Sequence, residues 1–367
     1  MDTAEIQQAR RACTRFLSHH YPVSPKQALL ALAEGLDDDL ETDVYGSGAL
    51  IEGFEARVAA LLGKAAAVFL PSGTLAQQIA LRVHADRSAA SSATRNVVMH
   101  PRNHLDGPEL YGYQHLHGLR AIHAGGVDQL LTLDDLSKVA EPVAALLLEL
   151  PQRELGGQLP HWDDLMAQTE WARSRGAATH MDGARLWECG PQYGRDYAQI
   201  AALFDTVYVS FYKILGGITG AALAGPAAVI AEARVWQKRH GGTLFHLYPY
   251  VLSAQRGLDE RLPRVPAYCA RARELAAALT NLPGVQSVPN PPQTNMFQLY
   301  LRAPHERLMP VAVEIAHETG VWLLSGAAQT ALPGLSRLEI SVGDAALDLT
   351  DAEVVELFGC LLERANA

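Results

Sequence analysis

Cysteine is scarce in this sequence. Four cysteines, Cys13, Cys189, Cys269 and Cys360, are scattered over 367 residues, and no two of them have the CxxC spacing. This pattern argues against a disulfide framework and against a cysteine-ligated zinc site, and it is typical of a reducing compartment. The first twenty residues also lack the apolar core of a signal peptide. We therefore expect a cytoplasmic protein.

The sequence also has fewer positively than negatively charged residues, and its apolar runs are short. The sequence has 30 Lys and Arg against 40 Asp and Glu, a formal net charge of −10. Nucleic-acid binding normally rests on clustered cations that meet phosphates, so we expect no nucleic-acid partner. Apolar stretches such as AALLLELP and AALAGPAAVIA are too short or are interrupted by proline. We expect no membrane-spanning segment.

Short apolar runs do alternate with helical patterns from about residue 47 to residue 250. Runs such as AAAVFL, RNVVMH and DTVYVSFY are strand candidates, and their alternation with helices is typical of a largely parallel α/β sheet. After Pro249, a long helical stretch precedes strands that alternate with helices, as in a smaller α+β domain. We predict an N-terminal arm over residues 1–45, a large domain over 46–250 and a small C-terminal domain over 251–367.

The segment PSGT places Ser72, Gly73 and Thr74 between a strand candidate and a helix. The free backbone N–H groups and the dipole of a helix start favour the binding of an anion. Serine and threonine at a helix start are also common as plain caps. This motif alone leaves both interpretations open.

Two further motifs place charged side chains at the ends of strand candidates. In MDGAR, Asp182 and Arg185 are either a structural ion pair or a site for a protonated ring nitrogen and an anion, because a buried carboxylate needs a partner. In SFYKILGG, Lys213 interrupts an apolar segment, where a lysine can have a lowered pKa and react with carbonyls. A lysine that extends to the surface is the alternative.

The three motifs are more specific together than separately. An anion-binding turn, an aspartate at a strand end and a lysine about 30 residues later follow the order expected for pyridoxal 5′-phosphate. With DVYGSG (residues 43–48), they resemble the threonine aldolase / aromatic amino acid β-eliminating lyase family over roughly residues 40–225. That family consists of fold-type I pyridoxal-phosphate enzymes, so the resemblance implies an α/β large domain with a mostly parallel, seven-stranded type of sheet and a smaller α+β domain.

The resemblance also implies roles for individual residues. Lys213 would bind the cofactor covalently, Asp182 would hold its ring nitrogen, and His104 would stack on its ring. The implied cofactor-binding residues are Ser72, Gly73, Thr74, His104, Asp182, Arg185, Ser210 and Lys213. The implied catalytic residues are Lys213, His104 and His123, and the implied substrate-binding residues are Tyr45, Arg185 and Arg337. The family lends the tyrosine at position 45 to a neighbouring subunit, which implies a homodimer or homotetramer with shared active sites.

Two segments depart from the family pattern, and a third matches it in an ambiguous register. Tyr212 stands where a serine usually precedes the lysine, so Ser210 is the expected substitute donor to the phosphate. The family's N-terminal Arg-Ser-Asp-Thr segment reads LSHHYPVSP here, which leaves open how the substrate carboxylate is held. The C-terminal arginine matches Arg337, although the register could instead match Glu339; alternate residues of a strand share a face, so Arg337 stays within reach.

The expected activity is cleavage of β-hydroxy-α-amino acids, such as L-threonine or L-allo-threonine, to glycine and an aldehyde, with His104 or His123 as the base. β-Elimination on another amino acid is the alternative, followed by a binding protein that keeps the fold without catalysis. The segment from residue 100 to residue 123 is rich in histidine, but its spacings suit no ligand set, so we expect no metal. Its histidines are His100, His104, His115, His117 and His123.

Overall fold

We describe a computed structural model of the chain over residues 2–89 and 94–367. Its strands are β1 (Arg15–Phe16), β2 (Ala66–Leu70), β3 (Asn96–Met99), β4 (Arg120–His123), β5 (Ala145–Glu149), β6 (Ala178–Gly183), β7 (Thr206–Ser210), β8 (Ala221–Gly225), β9 (Val285–Val288), β10 (Met296–Leu301), β11 (Val321–Trp322), β12 (Ala328–Gln329) and β13 (Ser336–Ser341). Its helices are α1 (Thr3–Ala12), α2 (Pro25–Ala33), α3 (Ala49–Leu61), α4 (Gly73–Ala89), α5 (Gly112–His117), α6 (Leu133–Ser137), α7 (Trp162–Ser174), α8 (Gly190–Tyr193), α9 (Tyr197–Ala201), α10 (Ala227–Arg239), α11 (Tyr248–Glu260), α12 (Val265–Leu279), α13 (His305–Thr319) and α14 (Asp351–Asn366). In the described ranges, no helix combines the length and the apolar character that a membrane crossing requires.

The chain forms two compact units. One contains residues 25–154 and 159–263, and the other contains residues 2–24, 155–158 and 264–367. The domain limits derived from the sequence, at residues 45 and 250, remain a prediction.

The larger unit is built on a seven-stranded sheet of order β2-β8-β7-β6-β5-β3-β4. Strand β8 runs antiparallel to both of its neighbours, β2 and β7, and the other pairs are parallel. Strand β7 is buried along its whole length, as expected of a strand in a sheet covered on both faces. The predicted α/β fold with a mostly parallel, seven-stranded sheet is therefore confirmed.

Helix α4 is fixed to this sheet by one apolar stripe. Ala76, Ile79, Ala80 and Val83 are fully buried at helical spacing, and they pack in one cluster with residues of β2, β7, β8 and α10. Strand β2 leads directly into α4, and it runs in the same direction as β5, β6 and β7. The start of α4 therefore lies at the edge of the sheet where the carboxyl ends of these strands meet.

The smaller unit contains a four-stranded antiparallel sheet of order β12-β13-β10-β9 and the helices α12, α13 and α14. This arrangement confirms the smaller α+β domain as part of the predicted fold. Along β13, Arg337 and Glu339 are partly buried and alternate with the buried residues Leu338 and Ile340. Arg337 and Glu339 thus share a face of the strand, as the sequence predicts.

Candidate active site

Most of the predicted site residues lie at one edge of the seven-stranded sheet. The turn with Gly73 follows β2, the loop with His104 follows β3, Asp182 lies near the end of β6, and Lys213 follows β7. Because the carboxyl ends of these strands point to the same edge, parallel topology gathers segments that are far apart in the sequence. The order of the strands then decides which side chains become neighbours.

The turn before α4 has the character of an anion site. The hydroxyl oxygen of Ser72 accepts a hydrogen bond from the backbone N–H of Leu75 at 3.3 Å, so Ser72 is a helix cap. Gly73 and Thr74 open the helix, where backbone N–H groups have no acceptor within the helix. A Cβ atom at Gly73 would lie 1.9 Å from the hydroxyl oxygen of Tyr208. Only glycine fits at this position.

Asp182 is a buried carboxylate between two other polar residues of the sheet. It is 2% exposed, and its Oδ1 accepts the backbone N–H of Ala184 at 3.1 Å. Its register partners are Glu149 on β5 and Tyr208 on β7. Register partners on neighbouring parallel strands point to the same face, so these side chains form one polar row across the sheet.

Lys213 lies in a tight turn after β7. The backbone N–H of Gly216 donates to the carbonyl oxygen of Lys213 at 2.9 Å, and that of Gly217 donates to the carbonyl oxygen of Phe211 at 2.8 Å. A Cβ atom at Gly217 would lie 2.8 Å from the carbonyl oxygen of Phe211. At Gly220, φ is +110° and a Cβ atom would meet the ring of Phe69. The glycines after the lysine therefore serve the packing of this turn.

The surroundings of Lys213 favour its neutral form. Burial lowers the pKa of its amine, and the guanidinium of Arg185 lowers it further, while the carboxyls of Asp182, Glu149 and Glu188 act in the opposite direction. A lysine with a lowered pKa has a larger fraction of the free amine, the form that attacks a carbonyl carbon.

The sequence analysis missed two carboxyl groups near Lys213, those of the partly buried Glu149 and the buried Glu188. Burial raises the pKa of Glu149 to about 7, and the charge of Asp182 acts in the same direction. Burial raises the pKa of Glu188 to about 8, against the opposing charges of Arg185 and Lys213. The one sequence signal for Glu149 was its position at the end of the apolar run AALLLE, because a carboxylate at a strand end often faces a site.

His104 is held by a loop with many internal hydrogen bonds. Its Nδ1 lies 3.1 Å from Oε1 of Glu109, whose side chain is 4% exposed and whose pKa is raised by burial. The side-chain oxygen of Asn103 accepts the backbone N–H groups of Leu105 and Asp106 at 2.9 and 3.1 Å. These contacts fix the backbone on both sides of His104.

His123 lies on the strand at the edge of the sheet. It ends the edge strand β4, and β3 and β5 separate this strand from β6. At 4.7–4.9 Å per strand, β4 is about 14 Å from β6. Its Nε2 lies 2.6 Å from Oδ2 of Asp106, and Oδ1 of the same carboxylate accepts a hydrogen bond from the hydroxyl of Tyr113 at 2.8 Å. His104, His123 and Glu149 all line one cavity of about 500 Å³.

The hydroxyl of Ser210 is engaged within the sheet. It donates to the carbonyl oxygen of Ala184 at 2.7 Å, and the residue is 1% exposed. A hydroxyl group has one proton, so this bond uses the proton that the sequence analysis assigned to the phosphate. Two tyrosine hydroxyls, of Tyr208 and Tyr212, lie 3.4 Å apart near the start of α4 instead.

Tyr45 lies on a strained, exposed turn. Its φ is +50°, it is 59% exposed, and its ring packs edge-on against that of Phe245 with centroids 5.3 Å apart. The buried carboxylate of Asp43 holds the turn, because it accepts the backbone N–H groups of Gly46, Leu247 and Tyr248 at 2.8–3.2 Å. Arg337, the remaining predicted substrate residue, belongs to the smaller unit.

Metal ions in proteins are held by clusters of His, Cys, Asp and Glu side chains. Over residues 2–89 and 94–367, no group of three or more His, Cys, Asp or Glu side chains is arranged to hold a metal ion. Within the segment rich in histidine, His100 contacts the backbone oxygens of Gly126 and Gln129 at 3.1 and 2.9 Å. The pKa of His100 is lowered by burial.

Known proteins are similar to this chain in sequence and in fold. The family model described as β-eliminating lyase matches residues 32–304. A solved structure from Listeria monocytogenes EGD-E, provisionally named an L-allo-threonine aldolase, is 40% identical, covers 99% of both chains and has a TM-score of 0.93. An aldolase of Penicillium aethiopicum is 31% identical over 77% of this chain and 72% of its own length. A low-specificity L-threonine aldolase of Arabidopsis thaliana is 25% identical over 78% of this chain and 82% of its own length.

Proposed function

The chain belongs to the β-eliminating lyase family, and from this premise we propose that it is an aldolase that depends on pyridoxal 5′-phosphate. Its substrates are β-hydroxy-α-amino acids of the L-threonine and L-allo-threonine type, which it cleaves to glycine and an aldehyde. The observation that carries this proposal is that Gly73, Asp182 and Lys213 lie at one edge of the sheet. Gly73 opens a helix, Asp182 is a buried carboxylate, and Lys213 has a lowered pKa.

The residues at this edge fit the cofactor. The N–H groups that open α4 suit a phosphate, and the contact between Gly73 and Tyr208 leaves no space for a side chain at that point. The buried carboxylate of Asp182 suits a protonated ring nitrogen, and Lys213 has the lowered pKa that a reaction with an aldehyde requires. When bound, the cofactor would supply an electron sink for the charge left on Cα as the Cα–Cβ bond breaks.

The proton of the β-hydroxyl group needs an acceptor while the Cα–Cβ bond breaks. We assign this role to His104, because its loop follows β3 and its ring is oriented by Glu109. His123 lies on the edge strand, so it would reach the same proton only through an intervening water. Both rings line the same cavity, into which the substituent on Cβ would extend.

Substrate binding involves positively charged groups and a second subunit. We propose that Arg185 and Arg337 bind the substrate carboxylate. Arg185 is close enough to Lys213 to lower its pKa, which supports its share of this role. Tyr45 is exposed on its own subunit, and we propose that it completes the active site of a neighbouring subunit in a homodimer or homotetramer.

The decisive test is the product pattern from L-allo-threonine. The purified protein with pyridoxal 5′-phosphate should release acetaldehyde and glycine in equal amounts. Ammonia and a keto acid would instead identify a β-eliminating lyase. A protein that binds no cofactor and releases neither pair of products would be a binding protein with the fold alone, and the proposal would be rejected.

A further inference from the structure

The hydroxyl of Tyr208 is buried against the start of helix α4. Tyr208 lies on β7 and is 3% exposed. Its hydroxyl oxygen is the atom that a Cβ atom at Gly73 would meet at 1.9 Å. The phenol therefore points at the first turn of a 17-residue helix, whose backbone N–H groups favour an anion.

Tyr212 supplies a second hydroxyl at the same place. It follows β7 in the turn that carries Lys213, and its hydroxyl lies 3.4 Å from that of Tyr208. That distance is long for a bond between two hydroxyl groups, whose usual range is about 2.5–3.0 Å. In the described part of the chain, Tyr208 forms no other side-chain hydrogen bond. Two hydroxyls that share one bond have one further proton to donate, and a buried phenol normally has an acceptor for its proton.

Both phenols stay neutral at ordinary pH, so both are donors. Burial is the main cause that raises the pKa of Tyr208 and of Tyr212. The negative charges of Asp182 and Glu109 raise the pKa of both tyrosines further. A neutral phenol beside a helix start can donate to an anion without adding negative charge of its own.

We propose that Tyr208 and Tyr212 donate hydrogen bonds to the phosphate group of the cofactor at the start of α4. This inference rests on the proposed function. The two tyrosines take the role for which the sequence suggests Ser210 as a substitute donor, because the proton of Ser210 is given to the carbonyl oxygen of Ala184. The phosphate would thus be held from the α4 side by backbone N–H groups and from the β7 side by phenols.

The test compares two ligands that differ only in the phosphate. Pyridoxal 5′-phosphate and pyridoxal are titrated separately into the cofactor-free protein, and each dissociation constant is read from the absorbance of the bound ligand. In Tyr212→Phe and Tyr208→Phe, the dissociation constant for pyridoxal 5′-phosphate should rise at least about 10-fold, as expected for a lost hydrogen bond to a charged group. The dissociation constant for pyridoxal should change less than about 2-fold.

Two further variants make the comparison specific. Tyr193→Phe removes a tyrosine hydroxyl that donates to the carbonyl oxygen of Pro160 at 3.0 Å, so it matches the chemical change away from the phosphate. It should leave both dissociation constants unchanged. Ser210→Ala tests the rival assignment. If Ser210→Ala weakens the binding of pyridoxal 5′-phosphate selectively and neither tyrosine variant does, the inference is overturned.

Failure of the inference can be told apart from failure of the proposed function. If the unchanged protein binds no pyridoxal 5′-phosphate, the proposed function fails. If it binds the cofactor and both Tyr→Phe variants bind it equally well, the inference alone fails. If the Tyr208→Phe protein does not fold, the Tyr212→Phe protein still tests the inference. Tyr212 is 37% exposed, so its hydroxyl is not needed to fill the core.

Discussion

Glu149 and Asp182 are register partners on the neighbouring parallel strands β5 and β6. Their carboxyl groups therefore point to the same face at the same edge of the sheet. Two carboxyl groups this close resist being ionised together, so the negative charge of one raises the pKa of the other. Glu149 shows this effect: burial raises its pKa to about 7, and the charge of Asp182 acts in the same direction.

The cofactor-free protein should lose stability between about pH 4.5 and pH 7 because of Glu149. The folded state binds this proton more tightly than the unfolded state, whose carboxyl pKa is 4.5, so the contribution of Glu149 to stability falls as pH rises. The full loss would be up to about 3 kcal/mol above pH 7. In Glu149→Gln, the amide oxygen can still accept the backbone N–H of Arg153, but no proton is bound.

The measurement is the free energy of unfolding by urea at pH 5 and at pH 8. The gain in stability of Glu149→Gln over the unchanged protein should be larger at pH 8 than at pH 5. Glu170→Gln, on the exposed side of α7, is the control and should show no such difference between the two pH values. An equal pH dependence in all three proteins would contradict the assignment.

Gly73→Ala should damage both folding and cofactor binding. The new Cβ atom would lie 1.9 Å from the hydroxyl oxygen of Tyr208, so the start of α4 or the tyrosine must move. Overpacking of this kind typically costs about 1–3 kcal/mol. Thermal unfolding of the cofactor-free protein should show the loss of stability, and titration with pyridoxal 5′-phosphate should show weaker binding.

Gly53→Ala is the matched control for this change. Gly53 lies within α3, and a Cβ atom there would meet no atom within 4 Å. Alanine stabilises a helix interior by about 0.5–1 kcal/mol relative to glycine, so this variant should be slightly more stable and bind the cofactor normally. If Gly73→Ala behaved in the same way, the close approach of Tyr208 would not matter.

His104 and His123 should differ in their importance for catalysis. His104→Asn should lower kcat for L-allo-threonine by about 10²-fold or more, because a positioned base contributes about 10²–10⁴-fold. His123→Asn should lower kcat less, because β4 is about 14 Å from β6. Steady-state kinetics of both variants gives the two values of kcat. A larger loss of kcat in His123→Asn would assign the role of the base to His123 instead.

A mixture of two inactive variants should recover activity if active sites are shared between subunits. Lys213→Ala removes the covalent anchor and should abolish both turnover and the absorbance of the bound cofactor. Tyr45→Ala should impair the neighbouring site instead. After subunit exchange in an equal mixture, half of the dimers are mixed and each has one intact site, so about a quarter of the normal activity should return.

Subunit exchange must be verified for this result to count. A tag on one variant allows the mixed dimers to be isolated and assayed. Mixed dimers without activity would mean that Tyr45 and Lys213 do not act across subunits. A monomer by light scattering would exclude the shared site altogether.

Local patterns in the sequence were enough to predict the architecture and the main motifs. The alternation of buried strands and amphipathic helices predicts a mostly parallel sheet, because hydrophobic periodicity depends on neighbouring residues alone. The order of PSGT, MDGAR and SFYK also predicts that these motifs meet, since parallel strands bring their carboxyl ends to one edge whatever their order, and the assignment of pyridoxal 5′-phosphate to that edge stays a proposal.

Strand order and packing decided the rest. The register of β6 puts Asp182 beside Glu149 and Tyr208, and the position of β4 at the sheet edge separates it from β6, where Asp182 lies. The sequence could not show that Ser210 gives its proton to Ala184, because that bond depends on how β6 and β7 are packed. Burial shifts pKa values and leaves hydroxyls for a ligand only once distant segments have met, so these properties belong to the tertiary structure.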